Sequence, residues 1–398
     1  MAEFMPYAKP CLTASDIETV AAVMSSNWLT TGPMLEKFEQ SLQQVTQASY
    51  VFACANGTAA LHLAFLALDL KPGDSVLVAS ISFLASANAV RYMGADIVFV
   101  DVDPLTGLIT PDLLELAIKQ NGDKSFKALV NVHLAGQCGD LKNIYKTAKK
   151  YNLMVIEDAA HAIGSQYIDG KAATPIGSNA YCDLTTFSFH AVKTIAVGEG
   201  GAVTTNNRIL AEKIKLYLNH GLERVHENFI NHGNAYNNEE LNPWYYEMHA
   251  LGYNYRLSDI QCALGHSQLK RLNEIVDKRQ ELVSHYHELL QQQDYLQVMP
   301  QLNSSKTCWH LLVVLIDFEA ITKSRAQLMN NLKSKGIGSQ VHYIPIYQQP
   351  YYQNLLGEIS LPGAELYYKK TLSLPLYLSL TKRDCQYVVE TLLMELKS

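Results

Sequence analysis

The stretch YVFACANGTAALHLAFLALDL, residues 50–70, changes its period in the middle. YVFACA is a short, nearly continuous apolar run, whereas GTAALHLAFLALDL carries its apolar residues at helical spacing. Between them Asn56-Gly57-Thr58 reads as a turn that opens a helix. A strand apolar on both faces that runs straight into a helix belongs in a parallel sheet covered by helices. Working outward, the same unit recurs. Strands are expected at SVLVAS (75–80), DIVFVDV (96–102), KALVNVHL (127–134) and LMVIEDA (153–159). Helices are expected at SFLASANAVRYMG, TPDLLELAIKQ and LKNIYKTAKKY. DLTTFSFH and GAVTTN add two strands, one on either side of Lys193.

After about residue 255 the character changes. LSDIQCALGHSQLKRLNEIVDKRQELVSHYHELLQQQ reads as one long helix with a break. CWHLLVVLID (308–317) reads as a strand, KSRAQLMNNLKSKG as a helix closed by Gly336, and TKRDCQYVVETLLMELKS as a terminal amphipathic helix. The expected division is a large domain over 1–255, with residues 1–14 as an arm, and a smaller α+β domain over 256–398. The polar and aromatic stretch 222–250 reads as a long loop or lid.

Bulk properties narrow the function. In this chain of 398 residues, a formal charge of −6 offers no general basic field for nucleic acid. No apolar run approaches a membrane-spanning length, and MAEFMPYAKP lacks the basic start and apolar core of a signal peptide. The seven cysteines are odd in number, scattered and never spaced as CxxC, which argues against a disulfide framework or a zinc site. A cytoplasmic setting, with no metal, is expected.

Ligands of open α/β sheets bind beyond the carboxyl ends of the strands. After YVFACA, Gly57 lets backbone approach a ligand, and the helix start offers N–H groups to an anion. After SVLVAS comes Phe83, an aromatic ring at the same rim. After LMVIE comes Asp158, costly there without a cationic partner, with His161 three residues on. Glu157 faces the other way by strand alternation, toward solvent. Lys193, flanked by Phe189, Val192, Ile195 and Val197, is partly desolvated, which lowers an amine pKa. Each feature alone has a plainer meaning: a capped turn, a core ring, a capping aspartate, a snorkelling lysine. Jointly they meet the needs of a pyridine cofactor that bears a phosphate and an aldehyde. Thr58, nearby N–H groups and Ser188 can hold the phosphate, Phe83 can stack on the ring, and His161 can lie near the ring hydroxyl. Asp158 can keep the ring nitrogen protonated, and Lys193 can form a Schiff base and shuttle protons. Gly198-Glu199-Gly200-Gly201 then reads as a tight return that leaves room for Lys193 and a ligand. It lacks the G-x-x-x-x-G-K-[ST] pattern of nucleoside triphosphate sites.

The segments NGTAAL, EDAAHA, SFHAVKTIAVGEGG and GYNYRLSDIQCALG resemble, in this order and over essentially the whole chain, the DegT/DnrJ/EryC1 sugar-nucleotide aminotransferases. The resemblance implies the aspartate aminotransferase-like pyridoxal 5'-phosphate (PLP) fold type I: α/β, with a mainly parallel seven-stranded sheet and a smaller α+β domain. It implies that Lys193 carries the cofactor, Asp158 meets its ring nitrogen, and Ser188 with Gly57 and Thr58 binds its phosphate. Asn254 would reach the phosphate of the neighbouring subunit's cofactor, which implies a homodimer with active sites at the interface. The dehydratase branch has histidine at the lysine position, so Lys193 implies transamination.

PYAKPCLTASDIETV, SNWLTTGP, ISFLASANAV and GSQVHYIPIYQQPYYQ resemble the branch that makes UDP-4-amino-4,6-dideoxy-N-acetyl-β-L-altrosamine for pseudaminic acid. In that branch the segments matching Tyr7, Asn27, Trp28, Leu29 and Thr30, and Gln340, Val341, His342 and Tyr343 line the substrate site. The implied substrates are a UDP-4-keto-6-deoxy-N-acetylhexosamine and L-glutamate. Tyr7, Trp28, His342 and Tyr343 offer flat amphipathic surfaces suited to sugar and uracil, although QVHYIPIY also reads as an aromatic loop packed under the small domain. Trp28 and GEGG depart from relatives that carry a polar residue and AEGG. Other nucleotide 4-keto sugars remain open (a legionaminic acid precursor, UDP-4-keto-arabinose, a dTDP-hexose), as does a non-catalytic PLP-binding regulator.

Overall fold

The computed structural model describes residues 4–291 and 293–397. Residues 1–3 of the expected arm, Gln292 of the long helix and Ser398 of the terminal helix lie outside the described residues.

Seven strands form the central sheet: β1 (Tyr50–Cys54), β2 (Ser75–Ala79), β3 (Asp96–Val100), β4 (Phe126–Val132), β5 (Met154–Asp158), β6 (Leu184–Ser188) and β7 (Gly201–Thr205). Their spatial order is β1-β7-β6-β5-β4-β2-β3. β7 runs antiparallel to both β1 and β6, and the other neighbouring pairs are parallel. β1 and β2, β4, β5 and β6 therefore deliver their carboxyl ends to one rim. The buried strand interiors explain their continuous apolar sequence: β2 and β7 are buried at every position.

Helices cover both faces: α1 (Ala14–Met24), α2 (Pro33–Thr46), α3 (Gly57–Ala67), α4 (Ala85–Tyr92), α5 (Pro111–Gln120), α6 (Leu141–Lys150) and α7 (Arg208–Leu218). α3 starts where Asn56 caps it, its side-chain oxygen accepting from the Ala59 N–H at 2.8 Å. The long helix does break, at Lys270 and Arg271, into α8 (Asp259–Leu269) and α9 (Leu272–Leu289). α8 packs on α1 and α2, where Phe38 and Leu42 share a core with Cys262 and Leu269. A three-stranded antiparallel sheet follows, with β9 (Leu312–Ile316) between β8 (Leu296–Val298) and β10 (Thr371–Leu374).

Two regions differ from expectation. Gln166–Asp169 and Ala172–Pro175 form a hairpin extended by Ser305–Lys306. Residues 222–250 are not a plain loop: Leu222–Glu223 pairs with Glu247–Met248, and Tyr236–Asn237 with Glu240–Leu241. Among the described residues no helix is long and apolar enough to cross a membrane, and no group of three or more His, Cys, Asp or Glu side chains is placed to hold a metal.

Candidate active site

A cavity of about 1010 Å³ opens on the strand rim. It is lined by Asn56, Gly57 and Thr58 after β1, Ser82 and Phe83 after β2, Val132 of β4, Asp158 of β5 and Ser188 of β6. Lys193, His161, Tyr7, Gln340, Val341, His342 and Tyr343 complete the predicted set found there. Twelve of the predicted site residues are thus brought together from distant parts of the chain. Asn27, Trp28, Leu29, Thr30 and Asn254 are exposed and stand outside the cavity of their own chain.

Lys193 lies in the turn after β6, its N–H bonded to His190 O at 2.8 Å. Phe189, Ile195 and Val197 around it are buried. Burial lowers its ammonium pKa to about 8, against the opposing pull of the Asp158 carboxylate. Near pH 8 an appreciable fraction is therefore the neutral amine that attacks an aldehyde.

Gly57 sits so close to Ser188 that an added Cβ would lie 2.9 Å from Ser188 Cβ and 3.2 Å from its Oγ. The absent side chain leaves a cradle between the start of α3 and the end of β6. The first N–H groups of a helix have no partner within it, so this cradle suits a phosphate. Gly201 gains its space elsewhere: a Cβ there would meet Asn56 O at 2.4 Å. The glycine-rich turn thus lets β7 close on the Asn56 backbone, and the room expected for a ligand is not what Gly201 supplies.

Asp158 is held by two donors, Ser86 Oγ to Oδ2 at 2.6 Å and Ala160 N to Oδ1 at 3.2 Å. Its neighbour Glu157 is not solvated. It is 2% exposed, with His133 Nε2 3.2 Å from Oε2 and the Thr185 hydroxyl donating at 3.4 Å. Both faces of a central strand are covered by protein, so strand alternation exchanges one buried environment for another.

Phe83 is 59% exposed, a lip rather than a core residue, and its ring lies 6.2 Å from that of Tyr343. Tyr343 OH is 3.3 Å from His161 Nε2. Burial pushes the Tyr343 phenol well up, with the Asp158 charge adding to the effect. Burial pushes the His161 imidazole well down, helped by Lys193 and His342. His161 Nδ1 is buried with no hydrogen-bond partner among the described residues. His342 donates to or accepts from Ser373 Oγ through Nδ1 at 2.8 Å, and burial lowers its pKa to about 3. Tyr7 reaches the cavity because the arm is fixed on both sides: Gly338 N bonds to Met5 O at 2.7 Å and Leu376 N to Tyr7 O at 3.0 Å.

Ser82, Ser86, Tyr92, Tyr255 and His310 escaped the sequence reading. Ser82, in the turn after β2, and Ser86, in the first turn of α4, bring their hydroxyls within 2.6 Å. His310, from the start of the β9 segment, places its ring 4.3 Å from that of His161 and had no local signal.

The donors present fit PLP: a lysine with a lowered pKa, a buried carboxylate, a glycine-lined helix start and an aromatic lip share one cavity. The comparisons agree. A model of the DegT/DnrJ/EryC1/StrS aminotransferase family matches residues 10–393. The spore coat polysaccharide biosynthesis protein SpsC of Bacillus subtilis (strain 168) is 37% identical over 391 residues, 97% of this chain and 96% of SpsC. Helicobacter pylori PseC, an aminotransferase involved in the biosynthesis of pseudoaminic acid, superposes with a TM-score of 0.88 at 30% identity, covering 99% of this chain and 100% of PseC. Streptococcus pneumoniae Spr1654 in its PLP form gives 0.87 at 27% identity, covering 99% of each chain, and it is also solved in a PMP form. A sheet of this topology, a PLP-compatible cavity and likeness over nearly the full length converge: the chain belongs to the DegT/DnrJ/EryC1/StrS aminotransferase family and is a PLP-dependent sugar aminotransferase.

Proposed function

We propose that the chain transfers the amino group of L-glutamate to the C4 ketone of a UDP-4-keto-6-deoxy-N-acetylhexosamine. The product is UDP-4-amino-4,6-dideoxy-N-acetyl-β-L-altrosamine, for pseudaminic acid biosynthesis in the cytoplasm. The observation that carries this is the extent of the cavity, which runs from the Gly57–Ser188 cradle to Tyr7, Gln340 and His342 and so has room beyond the cofactor for a sugar. The full-length likeness to PseC supports the choice of sugar.

PLP supplies an aldehyde and, through its protonated ring, a sink for the electrons of a cleaved C–H bond. The protein provides the rest. The start of α3, Thr58 and Ser188 would hold the phosphate, and Asp158 would keep the ring nitrogen protonated. Phe83 would stack on the ring, and His161 would serve its hydroxyl. Lys193 Nζ takes the proton from the α-carbon of glutamate in the first half-reaction and delivers one to sugar C4 in the second. Tyr7, Gln340, Val341, His342 and Tyr343 form the sugar side of the site.

Lys193 is the one lysine or arginine among the described residues lining this cavity, yet a cofactor phosphate, a glutamate and a nucleotide diphosphate are all anionic. That imbalance supports a homodimer with active sites at the interface, in which Asn254 and residues 27–30 of the partner copy close the site. SpsC, with its higher identity and its polysaccharide role, favours a second reading with another nucleotide 4-keto sugar as acceptor.

The test is the visible spectrum of the PLP-loaded protein before and after L-glutamate, followed by a panel of nucleotide 4-keto sugars. Bleaching by glutamate and recovery with the UDP-4-keto-6-deoxy-N-acetylhexosamine is the expected result. Recovery with a different sugar alone moves the assignment to the second reading. A band unchanged by glutamate and other amino donors identifies a non-catalytic binder.

A further inference from the structure

We infer that Ser82 and Ser86 form a two-hydroxyl relay that fixes the Asp158 carboxylate toward the cofactor ring, with Ser86 as a positioning residue. This rests on the proposed role of Asp158.

The three groups form an unbroken chain. Ser82 Oγ lies 2.6 Å from Ser86 Oγ, and Ser86 Oγ lies 2.6 Å from Asp158 Oδ2. All three are buried, with Ser86 fully so and Asp158 7% exposed. The directions follow from proton counting. An ionised carboxylate only accepts, so the single hydroxyl proton of Ser86 goes to Asp158. Ser82 must then donate to Ser86, which leaves the Ser82 oxygen with acceptor capacity alone toward the cavity that it lines. Each hydroxyl polarises the next, and the last bond is charge-assisted, in keeping with its short length.

The placement adds a second point. α4 follows β2, whereas Asp158 ends β5, and β4 stands between those two strands in the sheet. The relay therefore crosses an intervening strand at the rim and ties the Phe83 turn to the Asp158 strand end. Ser86 does not line the cavity, so any influence it has on a ligand passes through Asp158. Without Ser86, Oδ2 loses the Ser86 hydroxyl as its donor, and the carboxylate keeps the 3.2 Å contact from Ala160 N on its other oxygen. A carboxylate held on one side only is free to rotate away from a ring nitrogen.

The experiment compares wild type with Ser86→Ala, Ser82→Ala, Asp158→Asn and the Ser86→Ala/Asp158→Asn pair in the full chain. Three quantities are read: the PLP dissociation constant of the cofactor-free protein, the pH at which the bound-cofactor band shifts, and kcat and KM for L-glutamate. Ser86→Ala should weaken PLP binding on the order of tenfold and displace the spectral pH transition, since a hydrogen bond to a charged group is lost. It should lower kcat while KM for glutamate moves by less than about twofold, because the donor does not touch Ser86. Ser82→Ala should shift the same quantities less. In the Asp158→Asn background, Ser86→Ala should add almost nothing.

Ser86→Cys, slightly larger and a weaker donor, should fall between wild type and alanine. It carries the same test should the alanine variant not fold. Wild-type values for Ser86→Ala beside an impaired Asp158→Asn would overturn the relay and leave the role of Asp158 intact. Additive losses in the pair would also overturn it, assigning Ser86 to packing alone. A fully active Asp158→Asn would instead remove Asp158 from the ring nitrogen, and the relay with it.

Discussion

Lys193 is the proposed nucleophile, and what surrounds it sets its basicity. Its folded pKa of about 8 lies below the ordinary 10.5, chiefly through burial. Between those values the unfolded chain binds a proton that the folded chain does not, so in cofactor-free protein this group favours folding increasingly as pH rises from 8 to 10.5. The same shift predicts that PLP uptake by the cofactor-free protein accelerates as pH rises through about 8 and then levels off. Stopped-flow absorbance checks this, and a rate still climbing at pH 10 would mean an ordinary lysine. Lys193→Ala should fold but lose transamination by roughly 10²–10⁴-fold, the usual span for a positioned proton-transfer group. Gly57→Ala tests the cradle. Its Cβ would press on Ser188 Cβ at 2.9 Å, which should weaken PLP binding by about 1–3 kcal/mol, roughly 5- to 150-fold. Titration reads the affinity; unchanged binding would move the phosphate elsewhere. Asp158, Phe83 and Lys193 were legible because residues at or just past the carboxyl end of such a strand lie on the rim. Ser86 was not, since its contact depends on β2 and β5 lying on either side of β4, which no local pattern records. Glu157 misled for a related reason: alternation says which face a side chain takes, not whether that face is wet.

At the scale of elements, the strands of the large sheet could be read to within a residue or two because strands covered on both faces are short runs of apolar and β-branched residues. Residues 222–250 could not, because their order comes from one buried carboxylate rather than from a periodic pattern. Glu247 accepts from Ile230 N at 2.8 Å, Asn231 N at 2.7 Å and Tyr245 OH at 3.0 Å, and His249 Nε2 lies 2.5 Å away. Burial raises the pKa of this carboxyl, but the histidine and the two backbone donors outweigh it and bring it to about 2. A carboxyl lowered from 4.5 contributes stability that is fully present above 4.5 and is lost as pH falls toward 2. The segment should therefore loosen in that acid window before the seven-stranded sheet does, with hydrogen exchange at Ile230 and Asn231 as the measure. Glu247→Ala should produce the same local loosening at pH 7 and raise the rate of limited proteolysis between 222 and 250. Cleavage confined to other loops would show that Glu247 does not organise the segment.

At the scale of the molecule, the residues left outside the cavity follow one pattern. Ile230 and Leu251 are each 78% exposed and Trp244 is 73% exposed, while Trp28 and Leu29 on the far-removed N-terminal segment are about half exposed at 54% and 49%. Scattered apolar residues are normal on a surface, but these are large and accompany the predicted site residues Asn27, Thr30 and Asn254. Among the described residues lining the cavity, one chain offers a single lysine to the three anionic groups of the proposed reaction, and a two-fold pairing would repair the deficit in both copies at once. That proposal makes a quantitative demand. Asn254→Ala alone should lower activity tenfold or more by loosening the phosphate of the partner's cofactor, and Lys193→Ala removes turnover in its own copy. When the two inactive proteins are unfolded together and refolded, about half of the dimers are mixed, and each mixed dimer holds one site with both Lys193 and Asn254 intact. About a quarter of wild-type activity should then return, although neither parent has it. If Asn254→Ala is active by itself, Asn254 has no part in the site. If both parents are inactive and the mixture stays silent despite forming dimers, each copy builds its site alone, and the missing cations must be sought within the chain.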